Sequence, residues 1–457
     1  MNSLTKMSIL KSLLGGLTFF CLVSLTNVIF AQNDLFTEVA VETIQLTENQ
    51  VKILNGLQQH RTTIDLKVIS VNKEILMSQQ SIDMNLFSGQ KFTASTVKID
   101  KRGDRDFTWY GSVRGKVSNI VLSVYEDAVV GFMNIEAESY NLRALGESLN
   151  AIIRVDPSKY PPCGNTPNFD NIQNNPIPSK NAQDVFSGQS QNFFSKASSL
   201  ETSQDDVNLL SSGNTIIKVL VAYTPAARDG EGGVNAMNAL ICNSIAAANQ
   251  SYNNSNIPIQ LELALRVEVN YTKVGTKEPF ETECVVGEQH PSDLMRFQNP
   301  SDGYMDEIHD LRALSAADVA VLLFIPQFPV AVRGEAFTIG AIDSEAFCVV
   351  DHLFADADKS WTFAHEIGHL QGARHEHEND SGECPFAFGH GHLLSTVPQK
   401  KTMMAVKPGP DRIQYWSDPT ATFQGVPLGV AGVSDNAIAL TETAPSVANL
   451  EQEGGTV

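Results

Sequence analysis

Three histidines and a glycine at fixed spacing constrain the fold of this 457-residue chain more than any other feature. His365 and His369 are four residues apart, so on a helix both imidazoles project from one face toward a shared ion. His375 follows six residues later and cannot lie on that face. Gly372 stands between them and can adopt a positive φ that lets the chain leave the helix. The segment therefore predicts a helix, a glycine turn and a third histidine that closes a metal site.

The same residues predict a chemistry. Three neutral imidazoles leave a fourth position on a Zn²⁺ ion open, which is typical of catalytic rather than structural zinc sites. Glu366 directly follows the first histidine, where its carboxylate can act as the general base on a zinc-activated water. With His365, His369 and His375 as the ligands of one zinc ion, the sequence indicates an enzyme that hydrolyses peptide bonds in protein or peptide substrates.

Further histidines follow the third candidate ligand, at His377, His390 and His392. Because the ligand spacing is already complete at His375, we expect a surface or supporting role for each of them. A thermolysin-like gluzincin, in which a distant glutamate replaces the third histidine, is an alternative. The spacing of Gly372 and His375 favours the three-histidine site over it.

Acidic residues outnumber basic ones, and the formal net charge is −20, most of it C-terminal to residue 214. Such a surface repels nucleic-acid backbones and anionic lipid headgroups, so we expect no nucleic-acid partner. The chain is 42% hydrophobic and 18% charged, which is typical of a folded globular protein. Beyond the N-terminal segment, no stretch approaches the roughly 20 apolar residues that a membrane helix needs, so we expect no stable membrane insertion.

The first residues have the layout of a signal peptide. Lys6 and Lys11 precede an apolar stretch from Leu13 to Phe30, and the small Ala31 stands before a polar segment. We predict a signal peptide at residues 1–31 and a secreted, extracellular protein. A membrane anchor is the alternative, because the apolar stretch is long enough to span a bilayer.

Between residues 32 and 213 the sequence changes character twice. Residues 32–167 alternate apolar and polar side chains in short runs broken by Gly, Asp and Asn, which predicts a small, mostly β domain. Residues 168–213 are rich in Asn, Gln and Ser and predict an exposed linker. Since proteases cut most readily in such linkers, we interpret residues 32–167 as a propeptide domain that is removed during maturation.

Residues 214–457 have the pattern of an α/β domain, in which strands alternate with helices. Apolar runs predict strands at 216–223, 257–269, 317–325 and 347–350. Helical spacing predicts helices at 233–252 and 304–314. The glycine-flanked run from Gly334 to Gly340 predicts an edge strand. An extended substrate can pair with such an edge through its main chain, and Ala336 and Phe337 are the candidate contacts.

The three-histidine segment, followed by Thr402-Met403-Met404-Ala405, resembles the metzincin clan of zinc peptidases. In that clan a methionine turn forms an apolar floor beneath the histidines, and Met404 matches the turn best, with Met403 as the alternative. The resemblance implies an α/β (α+β) catalytic domain at residues 214–457, with a twisted mixed sheet and an active-site helix.

The stretch from Arg412 to Pro419 narrows the resemblance to the reprolysin-like branch that includes bacterial peptidyl-Asp metallopeptidases. Similarity of this kind extends from about Asn214 to Leu450. A preference for cutting before Asp, as in that branch, requires a cation near the side chain that follows the cut. Arg412 is the candidate for this role, and an ordinary surface arginine is the alternative interpretation.

The segment Pro161-Pro162-Cys163-Gly164 resembles the cysteine switch in propeptides of matrix metalloproteinases and reprolysins. A thiolate is a strong zinc ligand and can occupy the position that the catalytic water needs, so we expect Cys163 to keep the precursor latent. An ordinary disulfide role for Cys163 is the alternative. One of the six cysteines, Cys21, lies in the predicted signal peptide, so an odd number remains. With Cys163 unpaired, the bridges that we expect among three possible connectivities are Cys242–Cys284 and Cys348–Cys384.

The sequence thus predicts a secreted, zinc-dependent endopeptidase that is made as a latent zymogen and inhibited by its own propeptide. A secreted zinc-binding adhesion or toxin-like protein without turnover is the alternative from a different class. The presence of Glu366 favours the enzyme, because a purely structural site has no need of a general base.

Overall fold

The structure is a computed structural model that describes residues 33–164, 213–272, 292–326 and 332–451. The predicted signal peptide and almost all of the predicted linker lie outside these ranges. The described residues form a mixed α/β structure with two large sheets, one formed by residues before position 165 and one by residues after position 212.

The N-terminal unit is built from nine strands, as the alternating sequence pattern suggested. These are β1 (Phe36–Glu38), β2 (Thr63–Val71), β3 (Ser81–Asn85), β4 (Lys91–Lys101), β5 (Asp106–Val113), β6 (Ser118–Tyr125), β7 (Ala128–Ile135), β8 (Glu138–Gly146) and β9 (Leu149–Val155). They form one antiparallel sheet in the order β1-β2-β9-β8-β7-β6-β5-β4-β3. An isolated backbone β-bridge joins Asp34, just before β1, to Asp83 in β3. The sheet therefore curls until its two edge strands, β1 and β3, lie side by side.

Two helices accompany this sheet, α1 (Glu48–Gln59) and α2 (Glu74–Ser78). A capping box starts α1, because the Thr47 hydroxyl accepts the N–H of Gln50 and the Gln50 side chain accepts the N–H of Thr47. This arrangement satisfies two backbone donors that a helix N-terminus otherwise leaves free.

The C-terminal unit has a five-stranded mixed sheet. Its strands are β10 (Thr215–Tyr223), β11 (Ile259–Glu268), β12 (Val319–Phe324), β13 (Gly334–Ala336) and β14 (Phe347–Asp351). They lie in the order β11-β10-β12-β14-β13, and only β13, at the edge, runs antiparallel to its neighbour. Every residue of β12 is buried, as expected for a central parallel strand that is covered on both faces.

Helices cover both faces of this sheet. They are α3 (Pro225–Gly230), α4 (Val234–Asn254), α5 (Asp293–Gln298), α6 (Glu307–Leu314), α7 (Thr362–Leu370) and α8 (Asn436–Val447). One buried cluster joins α4 and α7 to one face, and another joins α5 and α6 to the opposite face. Short pairs β15 (Lys400–Lys401) with β16 (Asp411–Arg412), and β17 (Thr422–Phe423) with β18 (Val426–Pro427), follow α7.

The predicted strands and helices of residues 214–350 lie close to the observed ones. The edge strand is shorter than the predicted run from Gly334 to Gly340, since β13 ends at Ala336. Beyond it the backbone turns toward the C-terminal end of α7, where Gly340 and Ala341 donate their N–H groups to the carbonyls of His369 and Leu370.

The two units share an apolar core. Phe132 and Val121 of the N-terminal sheet are buried in one cluster with Met237 and Leu240 of α4. The Phe132 ring also meets the Trp361 ring, at the start of α7, edge to face at 6.0 Å. The N-terminal sheet therefore packs on the same face of the C-terminal unit that carries α7.

Buried polar contacts reinforce this shared core. The guanidinium group of Arg143 in β8 donates to the Asp356 carboxylate, and both side chains are almost completely buried. Ser139 donates to the Asp358 carboxylate, and the Tyr160 hydroxyl donates to the Asp358 carbonyl. The segment just before α7 is thus covered by the N-terminal unit.

The cysteines correct the predicted disulfides. Cys163, Cys242, Cys348 and Cys384 all carry free thiols. The bridge Cys348–Cys384 is wrong, because Cys348 is enclosed in β14 whereas Cys384 is exposed. Cys242 is likewise unpaired, and its predicted partner Cys284 lies outside the described residues. The described cysteines form no bridge with one another, so disulfide pairing does not distinguish Cys163 from the others.

None of the helices in the described ranges combines the length and the apolar character that a bilayer crossing requires.

Candidate metal centre

Helix α7 carries the first two candidate ligands on one face, one turn apart, and all its residues are buried. It ends in a Schellman motif, in which Ala373 donates its N–H to the Gly368 carbonyl and Gly372 donates to the His369 carbonyl. Gly372 has a φ of +95°. The glycine turn predicted from the sequence is therefore present, and it reverses the chain so that His375 returns to α7.

The three histidines meet at one point. The Nε2 atom of His375 lies 3.1 Å from that of His365 and 3.0 Å from that of His369. On the other side of two of the rings, His365 Nδ1 lies 2.9 Å from the Met403 carbonyl and His369 Nδ1 lies 2.8 Å from the Ala373 carbonyl. A carbonyl can only accept, so these Nδ1 atoms carry the hydrogens and the Nε2 lone pairs point at the shared centre.

This donor set fits a zinc ion. Burial lowers the pKa of His365 and of His375 well below the ordinary value, and burial together with His365 lowers the pKa of His369 to about 3. All three imidazoles are therefore neutral at physiological pH, which is the form that binds metal. Three neutral nitrogen donors, two of them oriented by a carbonyl group behind the ring, are typical of zinc sites.

Glu366 lies beside this centre with a buried carboxyl group. Its Oε1 atom has no hydrogen-bond partner among the described residues. Burial, and then the nearby Cys163, raise the pKa of Glu366 well above the ordinary value. A carboxyl group in this state has a proton affinity suited to exchanging protons with a reacting group.

Apolar side chains close the centre from below. Met403 and Met404 are completely buried. Met404 lies under α7, because a Cβ atom added at Gly368 would come within 3.1 Å of the Met404 sulfur. Met404 thus packs beneath the helix that carries His365 and His369, and Met403 contributes its carbonyl to His365.

The segment Pro161–Gly164 lies along the open side of β13. Gly164 donates its N–H to the Gly334 carbonyl, and Arg333 donates its N–H to the Pro162 carbonyl. Gly164 has little space, since a Cβ atom there would meet Glu335 Cβ at 3.0 Å. The residue between these two hydrogen bonds, Cys163, projects toward the centre.

Cys163 is buried within reach of the histidine site. Its sulfur, one ring nitrogen of His365 and one carboxylate oxygen of Glu366 all lie within 4.8 Å of one another. The sulfur also lies 3.1 Å from Nη2 of Arg333 and 3.8 Å from Nη2 of Arg412. Burial opposes ionisation of the thiol, but these two arginines outweigh it and lower the pKa of Cys163.

Comparisons with known proteins agree with this geometry. The metallopeptidase family M12 model of the reprolysin type matches residues 213–417. A peptidyl-Asp metalloendopeptidase of Stenotrophomonas maltophilia is 32% identical over 391 residues, which cover 81% of this chain and 83% of the relative. The chain belongs to the reprolysin-like metallopeptidases of family M12. It is a metalloendopeptidase.

A second relative supports the same assignment. A peptidyl-Asp metalloendopeptidase of Xanthomonas campestris pv. campestris is 29% identical over 406 residues, which cover 85% of this chain and 86% of the relative. Among solved structures, metalloproteinase-II from Bacteroides fragilis is 13% identical, with a TM-score of 0.37 over 79% of this chain and 90% of that chain. A score this low does not establish a shared fold.

Three further residues of the metalloendopeptidase support the third histidine. His390 is buried and its Nδ1 lies 2.7 Å from the His375 carbonyl. The His377 ring stacks on His390 with centroids 3.6 Å apart. Glu376 accepts the N–H groups of Val406 and Lys407, and so ties the third histidine to the segment after the methionine turn. His392 lies apart from them, near Ser434.

The three residues predicted to contact substrate lie in different places in the structure. Ala336 lies beside Glu366, on the face of the sheet that carries the metalloendopeptidase centre. Phe337 lies away from the centre, since its side chain packs on the opposite face of the sheet and its N–H donates to the Phe347 carbonyl. Arg412 is only 2% exposed, so its interpretation as a surface arginine is wrong.

The sequence reasoning missed two charged residues here. Arg333 is buried against Cys163, and Glu335 is buried near Glu366. Burial, and then the charge of Glu366, raise the pKa of Glu335 well above its ordinary value. Both belong to or adjoin the short edge strand β13. The only signal in the sequence was that charged residues flank Gly334 within an otherwise apolar stretch.

Proposed function

We propose that this metalloendopeptidase uses one zinc ion, held by Nε2 of His365, His369 and His375, with Glu366 as the general base. The convergence of the three Nε2 atoms carries the proposal, together with the unpartnered Oε1 of Glu366 beside them. The convergence of His375 with the other two also favours this site over a gluzincin, which takes its third ligand from a distant glutamate.

Each residue has a separate task. Zinc, when bound, supplies a Lewis acid that polarises the scissile carbonyl and acidifies a water. Glu366 takes the proton of the attacking water and then transfers it to the leaving amine. The carbonyls of Met403 and Ala373 hold His365 and His369 in the tautomer that offers Nε2. The methionine floor keeps bulk water away from the underside of the centre.

We further propose that the chain is secreted as a latent precursor. Residues 1–31 serve as the signal peptide, and residues 32–167 serve as the inhibitory propeptide that is lost after cleavage in the linker 168–213. The contact of Pro162 and Gly164 with β13 supports this proposal, because it fills the edge that an extended substrate would need. The Cys163 thiolate would then be a temporary further ligand of the zinc ion.

The substrates are proposed to be proteins cut on the N-terminal side of aspartate. The support comes from two relatives that are peptidyl-Asp metalloendopeptidases and that align with more than four-fifths of this chain. A main-chain contact with β13 allows many sequences, so the side chain next to the cut has to supply the selectivity.

Replacing Glu366 by glutamine tests the mechanism. Glu366→Gln keeps the shape of the side chain but removes the base, so kcat/KM should fall by about 10²–10⁴-fold. Zinc content, measured by atomic absorption on the processed enzyme, should stay at one equivalent. The matched control is Glu378→Gln, which alters an exposed glutamate that pairs with Lys407 and should leave kcat/KM unchanged.

Two outcomes would decide against the mechanism. Undiminished hydrolysis by Glu366→Gln would exclude Glu366 as the base. Zinc retention by a His375→Ala variant at wild-type affinity would point to a third ligand elsewhere in the chain.

A further inference from the structure

Two buried guanidinium groups converge on one point next to the candidate zinc site. Arg333 is 5% exposed and Arg412 is 2% exposed. They come from different parts of the chain, one directly before β13 and one in β16, and both reach the Cys163 sulfur. The Cys163 sulfur is the atom at which the two groups meet.

Both guanidinium groups are anchored by neutral atoms. The Ser360 hydroxyl accepts from Nη1 of Arg333, and the Ser360 carbonyl accepts from Nη1 of Arg412. Nη2 of Arg412 also donates to the Ala405 carbonyl, directly after the methionine turn. These contacts fix the orientation of each group and leave its positive charge unneutralised.

Three other buried arginines of the described residues pair with carboxylates. Arg143 pairs with Asp356, Arg312 with Asp343 and Arg374 with Asp380. Arg333 and Arg412 have no carboxylate within ion-pair distance among the described residues, and the Nε atom of each is buried without a hydrogen-bond partner. Two buried charges without a carboxylate are costly to keep, which indicates a site that is built to receive an anion.

The position of this anion site relates it to the reaction. The sulfur that it now holds lies within 4.8 Å of the ligand atoms of His365 and Glu366. A side chain that reaches the two arginines must therefore belong to a residue directly beside the bond that is cut. The side chain that reaches the site in this structure is short, since Cys163 has a single methylene and its sulfur.

We propose that Arg333 and Arg412 together form the pocket that binds the carboxylate of an acidic residue next to the cleaved bond. In the precursor the same pocket is filled by Cys163. The inference rests on the proposed function, and it deepens that function by naming the pair of residues that selects the substrate. A carboxylate offers two oxygens to the two guanidinium groups, whereas an amide of the same shape brings neither charge nor a second acceptor.

The selectivity of the processed enzyme tests this pair. Peptides that differ only in Asp, Asn or Glu after the cleaved bond are compared with wild type, Arg333→Met and Arg412→Met. For wild type we expect kcat/KM to be about 10²-fold or more higher for Asp than for Asn, because the unfilled pocket leaves buried charges unpaired. Each Met variant should lower the Asp/Asn ratio by about tenfold or more, because only the Asp peptide presents the carboxylate that the pair binds.

The ratio is measured within one preparation, so it does not depend on how much of a variant is folded. Arg228→Met is the control, since Arg228 pairs with Glu268 away from the site and its loss should leave the ratio unchanged. Arg333→Lys and Arg412→Lys keep the charge without the planar fork and should recover only part of the selectivity.

A second readout needs no turnover. Isothermal titration calorimetry on the processed Glu366→Gln enzyme should give tighter binding of the Asp peptide than of the Asn peptide, and the Met variants should bind both equally. Unaltered Asp selectivity in both Met variants, in hydrolysis and in binding, would overturn the inference while the proposed function stands. If wild type hydrolyses no peptide, the proposed function fails, and the calorimetric comparison still decides whether the arginines bind the carboxylate.

Discussion

Gly334 brings the backbone of β13 so close to α7 that a side chain has no room. A Cβ atom at this position would lie 2.7 Å from Thr362 Cγ2 and 2.9 Å from both Cγ and Oε1 of Glu366. The absence of a side chain therefore sets the distance between the edge strand and the carboxyl group of Glu366. Glycine is required here by a close approach, since its φ is not in the left-handed region.

Gly334→Ala should disturb the proposed general base more than the zinc ligands. The added methyl group overpacks the contact, which we expect to lower the free energy of unfolding by about 1–3 kcal/mol. Displacement of the Glu366 carboxyl group should lower kcat/KM by about tenfold or more. Urea denaturation and peptide hydrolysis measure the two effects, and zinc content should be unchanged.

Gly56→Ala is the matched control for this substitution. Gly56 lies in α1 and nothing would contact its added Cβ atom. Alanine there should stabilise the chain by about 0.5–1 kcal/mol, because it favours the helix. Full activity in Gly334→Ala would show that the close contact does not position Glu366.

The residues of the site were unequally predictable from the sequence. His365, His369 and His375 could be found because their spacing on a helix and after a glycine turn determines the direction in which each side chain projects. Arg333 and Arg412 could not be recognised as a pair, since their burial and their contact with Cys163 depend on two distant segments meeting. The disulfide prediction failed because an even count of cysteines says nothing about whether two thiols lie close together.

At the scale of elements, α7 and the turn after it act as one unit. The Schellman motif at Gly372 sets the direction in which the chain returns, and the Ala373 carbonyl in that turn accepts the hydrogen on His369 Nδ1. A Cβ atom at Gly372 would lie 2.7 Å from Pro385 Cγ. The turn thus links helix termination to the orientation of a ligand.

Gly372→Ala should weaken zinc binding. A left-handed φ costs alanine about 1–2 kcal/mol, and the contact with Pro385 adds to this. Displacement of the carbonyl behind His369 should lower zinc affinity by about 10–100-fold, as measured by competition with a chelator. Gly409→Ala isolates the backbone strain, because Gly409 has a φ of +101° but open space around its added Cβ atom. Equal zinc affinity in the two variants would contradict this role of the turn.

Most strands of the C-terminal unit could be predicted because buried parallel strands have continuous runs of apolar residues in the sequence. β13 is the exception. Its three residues are too few for a periodic pattern, and its end is set by hydrogen bonds of Gly340 and Ala341 to α7 rather than by local sequence. Element boundaries that depend on a distant partner cannot be derived from a run of side chains.

At the scale of the whole molecule, the contact between the two units contains a buried ion pair. Arg143 and Asp356 are 3% and 0% exposed in their side chains, and Arg143 also donates to the Leu353 carbonyl. Removing the arginine would leave a carboxylate in an apolar contact without its partner. The two sheets therefore depend on one another for charge balance as well as for apolar burial.

Arg143→Met should destabilise the full-length chain by about 3–5 kcal/mol, the usual cost of breaking a buried pair from one side. Lys116→Met removes one member of the exposed pair with Glu136 and should cost at most about 1 kcal/mol. Urea denaturation of both variants in the Glu366→Gln background avoids self-cleavage. A similar loss in the two variants would show that the buried pair contributes no more than the exposed one.

The shared core also has a consequence for separating the two units. The face of the N-terminal sheet that carries Val121 and Phe132 packs in one cluster with Met237 and Leu240 of α4, and Phe132 meets the Trp361 ring. Parting the units would expose this apolar face to water, at a cost in free energy that grows with the area uncovered. A cut in the chain between the units would leave this contact in place.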